Sequence, residues 1–152
     1  MAEGSLERTL VLIKPDGVKR GLVGEILHRF ERKGLKLLAV KTLHITPERA
    51  QQHYAEHQGK PFYPSLMQHI TSGPVVAVAL EGRNAVAVVR LLTGATNPQL
   101  AAPGTVRGDL GLGITANLIH ASDSPDAAAR ELPFYFAPEE FVGYTRSGEE
   151  FT

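Results

Sequence analysis

Residues 73–80 read G-P-V-V-A-V-A-L. Gly73 and Pro74 end whatever comes before, and the six apolar residues after them run without a break. A short, continuous apolar run bounded by turn residues is the pattern of a buried strand. Working back toward the N-terminus, Leu35 to Ile45 is again strand-like, with Leu38, Val40 and Ile45 inside it. Between the two, Thr46-Pro47-Glu48 is a helix start: a hydroxyl cap, proline at the first helical position, then an acid. The polar segment that follows, to His57, is expected to face solvent, and Pro61 to Ile70 to form a second short helix. Further back, Leu22, Val23, Ile26, Leu27 and Phe30 recur at helical spacing, closed by Gly34. Before them R-T-L-V-L-I at residues 8–13 is a β-forming run stopped by Lys14-Pro15-Asp16-Gly17.

Toward the C-terminus, Asn84 to Leu92 reads as a helix with Val86, Val89 and Leu92 on one face. Gly94 to Thr115 then holds Gly94, Gly104, Gly108, Gly111 and Gly113, with Pro98 and Pro103, and has no clean period. It is expected to be a long glycine-rich loop, which inside a compact domain is usually functional. Leu118 and Ile119 begin a short strand running into His120, and Ser124-Pro125-Asp126 starts a helix through Ala127 to Leu132. The order is β-α-β-αα-β-α-loop-β-α. Its core matches the ferredoxin-like βαββαβ arrangement, an α+β fold with a four-stranded antiparallel sheet under helices and extra helices added.

The chain has 152 residues and 16.4 kDa, so residues 1–152 are expected to form a single domain. Hydrophobic residues make up 43% and charged residues 21%, which argues against disorder. With no cysteine, disulfides, thiolate metal sites and cysteine nucleophiles are excluded. Lys+Arg and Asp+Glu are 16 each; without an excess of basic charge, nucleic acid is not expected as the primary partner. Neither a secretory h-region nor a run of ~18 apolar residues is visible. The expectation is a soluble, cytoplasmic protein with no membrane partner.

The densest chemistry lies in Asn117-Leu118-Ile119-His120-Ala121-Ser122-Asp123. On a strand, His120 and Ser122 share a face. His120 can be a nucleophile or proton shuttle, or a hydrogen-bonded core histidine. Arg107, within the glycine-rich stretch, and Arg90 can fork onto phosphate oxygens, or lie solvated on the surface. Neither a G-x-x-x-x-G-K-[ST] loop nor a G-x-G-x-x-G after a strand is present. Lys14, at the end of the first strand, can meet a phosphate or only solvent. Tyr54, Phe62 and Tyr63 can stack on a base or belong to the core.

Taken together these segments resemble the nucleoside diphosphate kinase family, from T-L-V-L-I-K-P-D-G-V to F-V-G-Y-T. The most specific match is N-L-I-H-A-S-D-S, beside the family pattern N-x-x-H-x-S-D. K-P-D-G, G-A-T-N-P and P-G-T-V-R-G-D support it in the same order. The resemblance implies reversible transfer of the γ-phosphoryl from a nucleoside triphosphate, mainly ATP, to a nucleoside diphosphate such as GDP. It implies a ping-pong route through a phosphohistidine and broad base specificity. His120 would take the phosphoryl group, Glu131 would hydrogen-bond its ring, and Ser122 would bond Glu131. Lys14, Tyr54, Arg90, Thr96, Arg107 and Asn117 would bind phosphates and ribose, and Phe62 would stack on the base. Mg2+ would arrive on the nucleotide phosphates, with no metal ligands from the protein. A homo-oligomer, tetramer or hexamer, is implied as well. Departures are Leu110, Ala116 and Ala121, where the family commonly has phenylalanine, arginine and glycine, and Phe134-Tyr135-Phe136 in place of L-W-F. The rival readings are a non-enzymatic nucleic-acid or partner-binding module on the same fold, and a phosphohistidine carrier.

Overall fold

The computed structural model describes residues 4–152. The chain runs β1 (Leu6–Ile13), α1 (Pro15–Lys19), α2 (Val23–Lys33), β2 (Lys36–His44), α3 (Pro47–His53), α4 (Tyr63–Ile70) and β3 (Pro74–Arg83). It continues through α5 (Ala85–Thr93), α6 (Val106–Leu110), β4 (Ile119–Ala121) and α7 (Pro125–Tyr135). The four strands lie in the order β2-β3-β1-β4, every pair antiparallel. β3 is thus inserted between β1 and β2, and β1 between β3 and β4, which is the expected split βαββαβ arrangement.

β1 and β3 carry continuous apolar runs because the centre of the sheet is covered on both faces. Val11, Ile13, Val76, Val78 and Leu80 pack with Ile26 and Phe30 of α2 and Ala85 and Val89 of α5. On the opposite face Leu10, Leu12, Val75, Ala77 and Ala79 pack with Ala50 of α3, Ile70 of α4 and Leu132 and Tyr135 of α7. An antiparallel sheet with one solvated face would alternate polar and apolar residues. Here Leu10 to Ile13 are all fully buried, so an alternating pattern has no place.

The caps foreseen in the sequence form. Thr46 Oγ1 accepts from the Arg49 amide (3.2 Å), Ser124 Oγ from that of Ala127 (3.0 Å), and Gly34 ends α2 in the left-handed region at φ 111°.

Two expectations need correction. The stretch 94–115 is not one long loop: it holds a 3-10 turn at Pro98–Leu100 and the helix α6. Thr105 Oγ1 caps α6 by accepting from the Gly108 amide (2.9 Å), and the Asp109 carboxylate accepts from the Gly104 amide (2.8 Å). Nor is the segment after Thr46 solvent-facing throughout. Ala50, His53 and Tyr54 are buried, a stripe at i, i+3 and i+4 that faces the sheet.

Candidate active site

β4 pairs with the end of β1, Ile119 opposite Ile13 and His120 opposite Leu12, so Lys14 and His120 emerge at neighbouring places on one sheet end. The approach to β4 is held tightly. The Lys14 amide donates to the Leu118 carbonyl (2.8 Å), and the Leu118 amide donates to Asp16 Oδ2 (3.0 Å). Leu118 itself has φ 74°, a left-handed conformation that costs a non-glycine residue roughly 1–3 kcal/mol. Asp16 Oδ1 also meets His69 Nε2 at 2.9 Å. Burial works against the Asp16 charge, but His69 and the Leu118 amide hold its carboxyl below the usual carboxylate range.

The His120 ring is fixed from one side. Its Nε2 lies 2.8 Å from Glu131 Oε1, on α7, and Ser122 Oγ donates to the same oxygen at 2.8 Å. Ser122 and Glu131 are buried, as expected for a pair shielded from water. Glu131 is raised above the ordinary carboxyl value, chiefly by that burial. His120 is held well below its ordinary value, first by burial and then by the cations Lys14, Arg107 and Arg90, so the imidazole is neutral at pH 7. With Nε2 spent on Glu131, Nδ1 is the ring nitrogen left without a protein partner among the described residues.

The cations gather on the same cavity. Lys14 Nζ donates to Asn117 Oδ1 (2.8 Å), and burial with the nearby Arg107 lowers its pKa to about 8. Asn117 Nδ2 donates in turn to the Thr96 carbonyl (2.9 Å). Arg107, on α6, is 4% exposed and reaches no carboxylate among the described residues. Instead it donates to the carbonyls of Asn117 (3.2 Å), Gly94 (3.2 Å) and Ile119 (2.5 Å). Arg90, on α5, donates to the Ala121 carbonyl at 3.1 Å. Neither arginine is the solvated surface side chain that the sequence alone allowed.

These groups line a cavity of about 440 Å³ with Tyr54, Phe62, Thr96 and Asn117 on its walls. Tyr54 is buried and stacked on His53 (centroids 4.4 Å apart), and its hydroxyl has no hydrogen-bond partner among the described residues. Phe62 sits at the rim, 49% exposed, with the His57 ring edge-on at 5.3 Å. Tyr63 instead packs against the core. Every residue singled out in the sequence as a candidate, Tyr63 and Ser122 apart, borders this cavity. Ser122 stands behind Glu131.

Comparison with known proteins gives this cavity a context. A family model described as nucleoside diphosphate kinase matches residues 7–141. The nucleoside diphosphate kinase of Archaeoglobus fulgidus is 57% identical over 145 residues, 95% of this chain and 96% of its own. The chain belongs to the nucleoside diphosphate kinase family. Its enzyme class follows from the family: a phosphotransferase acting on nucleoside diphosphates. The Moorella thermoacetica enzyme is 58% identical over 136 residues, covering 90% of this chain and 98% of its own. Among solved structures, the halophilic nucleoside diphosphate kinase of Halobacterium salinarum in complex with CDP superimposes with a TM-score of 0.94. It is 49% identical and covers 97% of this chain and 98% of its own. A transition-state mimic of the Borrelia burgdorferi enzyme with bound vanadate and ADP has a TM-score of 0.90. It is 39% identical and covers 95% of both chains.

Within this nucleoside diphosphate kinase fold, one neighbour of His120 has no counterpart among the residues singled out in the sequence. His53, on α3, is 1% exposed and brings its Nε2 within 3.1 Å of His120 Nε2. Its Nδ1 meets the hydroxyl of Tyr135 at 2.5 Å. Burial, and then His120, hold the His53 imidazole well below its ordinary value. Tyr135 is one of the departures from the family pattern, so that departure touches the histidine pair. The spacing of Ala50, His53 and Tyr54 was the available signal for His53. Of the other departures, Ala121 lies in β4 and is buried on the sheet face covered by α2 and α5, Leu110 packs against that cluster and Ala116 is exposed.

Proposed function

We propose that this nucleoside diphosphate kinase works through a phosphohistidine on His120 Nδ1, in a cavity whose cations bind and neutralise the nucleotide phosphates. One observation carries the reading. A neutral imidazole has one nitrogen fixed on a buried carboxylate and the other without a protein partner among the described residues, and its residue lines a cavity with Lys14, Arg90 and Arg107. With its proton on Nε2 and donated to Glu131, His120 keeps a lone pair on Nδ1. That pair attacks the γ-phosphorus, the P–O bond to the β-phosphate breaks, and its electrons leave with the diphosphate. The ring gains positive charge as it does so, and the Glu131 carboxylate, steadied by Ser122, stabilises that charge. A second diphosphate takes the phosphoryl group by the reverse step, which is ping-pong exchange. Phosphoryl transfer needs positioning and charge stabilisation more than covalent machinery. Lys14, Arg90, Arg107 and the Thr96 and Tyr54 hydroxyls are suited to that, with Asn117 holding Lys14 in place.

Mg2+ takes oxygen ligands in an octahedron. Among the described residues the one cluster of three ionisable ligands is nitrogen-rich, His53, His120 and Glu131, so Mg2+ would be held by the nucleotide phosphates. There it would neutralise their charge. Phe62 offers a half-exposed ring to the base and no polar edge, which supports broad specificity. The complexes of relatives with CDP and with ADP, a pyrimidine and a purine, favour the same reading. The same proposal covers one domain over residues 1–152, acting in the cytoplasm as a tetramer or hexamer. Exposed Leu100, Leu112 and Ile114 in the 94–115 segment give neighbouring copies an apolar surface to cover. Among the described residues no helix is long and apolar enough to cross a membrane.

The test is exchange. With ATP and GDP the protein should form GTP, and double-reciprocal plots at several fixed GDP concentrations should be parallel. Intersecting lines would replace ping-pong with direct transfer.

A further inference from the structure

Three ligand atoms converge on the Glu131 side of the His120 ring. His120 Nε2 lies 2.8 Å from Glu131 Oε1 and 3.1 Å from His53 Nε2, and His53 Nε2 lies 3.6 Å from Glu131 Oε1. An ion bound tetrahedrally with bonds of about 2.0–2.1 Å keeps its ligand atoms about 3.3 Å apart. The edges of this triangle straddle that value. Two imidazoles and a carboxylate are a donor set that takes zinc with one position left open, whereas Mg2+ demands an oxygen octahedron.

The outer contacts that orient metal ligands are also in place. Tyr135 Oη meets His53 Nδ1 at 2.5 Å, and Ser122 Oγ donates to Glu131 Oε1 at 2.8 Å. Such partners fix ring orientation and tautomer in metal sites.

We propose that His53, His120 and Glu131 form a capture site for a borderline divalent cation, with Zn2+ as the type ion, and that its occupation silences phosphoryl transfer. A neutral imidazole carries one proton. When His120 keeps that proton on Nε2, Nδ1 has the lone pair that attacks phosphorus. An ion on Nε2 requires the lone pair there, so the proton moves to Nδ1 and the nucleophile is lost. His53 meets the ion through its own Nε2, with its proton on Nδ1 donated to Tyr135 Oη. The fourth position opens toward the cavity and takes water. Lys14, Arg90 and Arg107 oppose a further positive charge, which holds the affinity below that of a site free of them.

The silencing half rests on His120 as the nucleophile, whereas the binding half does not, and the experiment reads the two separately. Metal-free protein is titrated with Co2+, whose visible absorption distinguishes four-coordinate nitrogen and oxygen ligation from the hydrated ion, and Zn2+ is then added. The expected result is one Co2+ per chain with a four-coordinate spectrum, displaced by Zn2+. His53→Gln should weaken binding at least about tenfold, and His44→Gln, at an exposed position on β2, should leave it unchanged. If His53→Gln does not fold, Glu131→Gln serves as the second ligand variant. Zn2+-loaded, desalted protein given ATP with Mg2+ should form at least about tenfold less phosphoenzyme than metal-free protein, and a chelator should restore it. A Co2+ spectrum indifferent to loss of either ligand would overturn the site. Full phosphoenzyme on Zn2+-loaded protein would overturn the silencing. If metal-free protein forms no phosphoenzyme, the nucleophile assignment fails, and the silencing with it, while the spectrum still decides the site.

Discussion

Arg107 carries a positive charge into the protein with no carboxylate among the described residues to balance it, and Arg107→Lys tests what holds it there. The guanidinium spans three carbonyls on separate stretches of chain, Gly94, Asn117 and Ile119. A lysine ammonium at the same place can satisfy one of them. The Asn117 carbonyl keeps the Ile119 amide as a donor (2.9 Å), so one of the other two carbonyls is left without a donor, at about 1–3 kcal/mol, and the loss is about 2 kcal/mol. For a chain of this length, at about 3 °C per kcal/mol, the thermal midpoint falls by about 6 °C. The charge is retained, so nucleotide binding should weaken less than in Arg107→Met, which loses charge and hydrogen bonds together. The assay is thermal unfolding of the wild type and both variants, with and without saturating ADP and Mg2+. ADP should raise the wild-type midpoint most, because its phosphates supply the counter-charge that burial denies Arg107. An Arg107→Lys midpoint within a degree of wild type would refute the clamp. An ADP-induced shift in Arg107→Met equal to that of the wild type would refute the phosphate role.

Four further outcomes are expected. Lys14 has its pKa lowered to about 8; its charge, present below that value, is lost as pH rises through it, so kcat/KM for ATP should fall above about pH 8. Both imidazoles are depressed, so no loss should appear between pH 7 and 6; a decline setting in near 6.5 on acidification would contradict the neutral His120. Phe62→Ala should raise KM for ADP, GDP, CDP and UDP alike, by the ~1–3 kcal/mol of one stacking contact; a loss confined to one base would reveal edge recognition. Gly108→Ala should cost about 3 kcal/mol of stability, because its Cβ would lie 2.0 Å from the Ala102 carbonyl oxygen, while Gly104→Ala, with nothing within 4 Å but φ 96°, should cost about 1 kcal/mol; equal midpoints would refute the packing argument.

Much of the frame was legible in the sequence for identifiable reasons. β1 and β3 are buried on both faces, so their apolar runs are unbroken, and Thr46 and Ser124 cap helices with the chemistry their position advertises. The segment 94–115 was not legible, because α6 is little more than one turn. It is held by tertiary contacts, the Arg29–Asp109 ion pair at 2.7 Å and the Arg107 clamp, that leave no periodic trace. His53 was hidden by the polar residues around it in P-E-R-A-Q-Q-H. Only Ala50 and Tyr54, one turn before it and one residue after it, mark the buried stripe. The backbone carbonyls that Arg107 uses, and the left-handed Leu118 that leads into β4, belong to the folded chain and have no counterpart in residue type. The resemblance to the family located the other site residues, and the structure brings them to one cavity.

The central claim is that His120 Nδ1 becomes phosphorylated, and the phosphoenzyme tests it most directly. ATP with Mg2+ alone should load one phosphoryl group per chain, labile in acid and stable in alkali as a P–N bond is, and any nucleoside diphosphate should discharge it. His120→Ala should abolish the adduct, while Glu131→Gln should form it slowly, because the ring keeps its nucleophile but loses the carboxylate that orients it. An acid-stable, alkali-labile adduct, or full turnover by His120→Ala, would contradict the account.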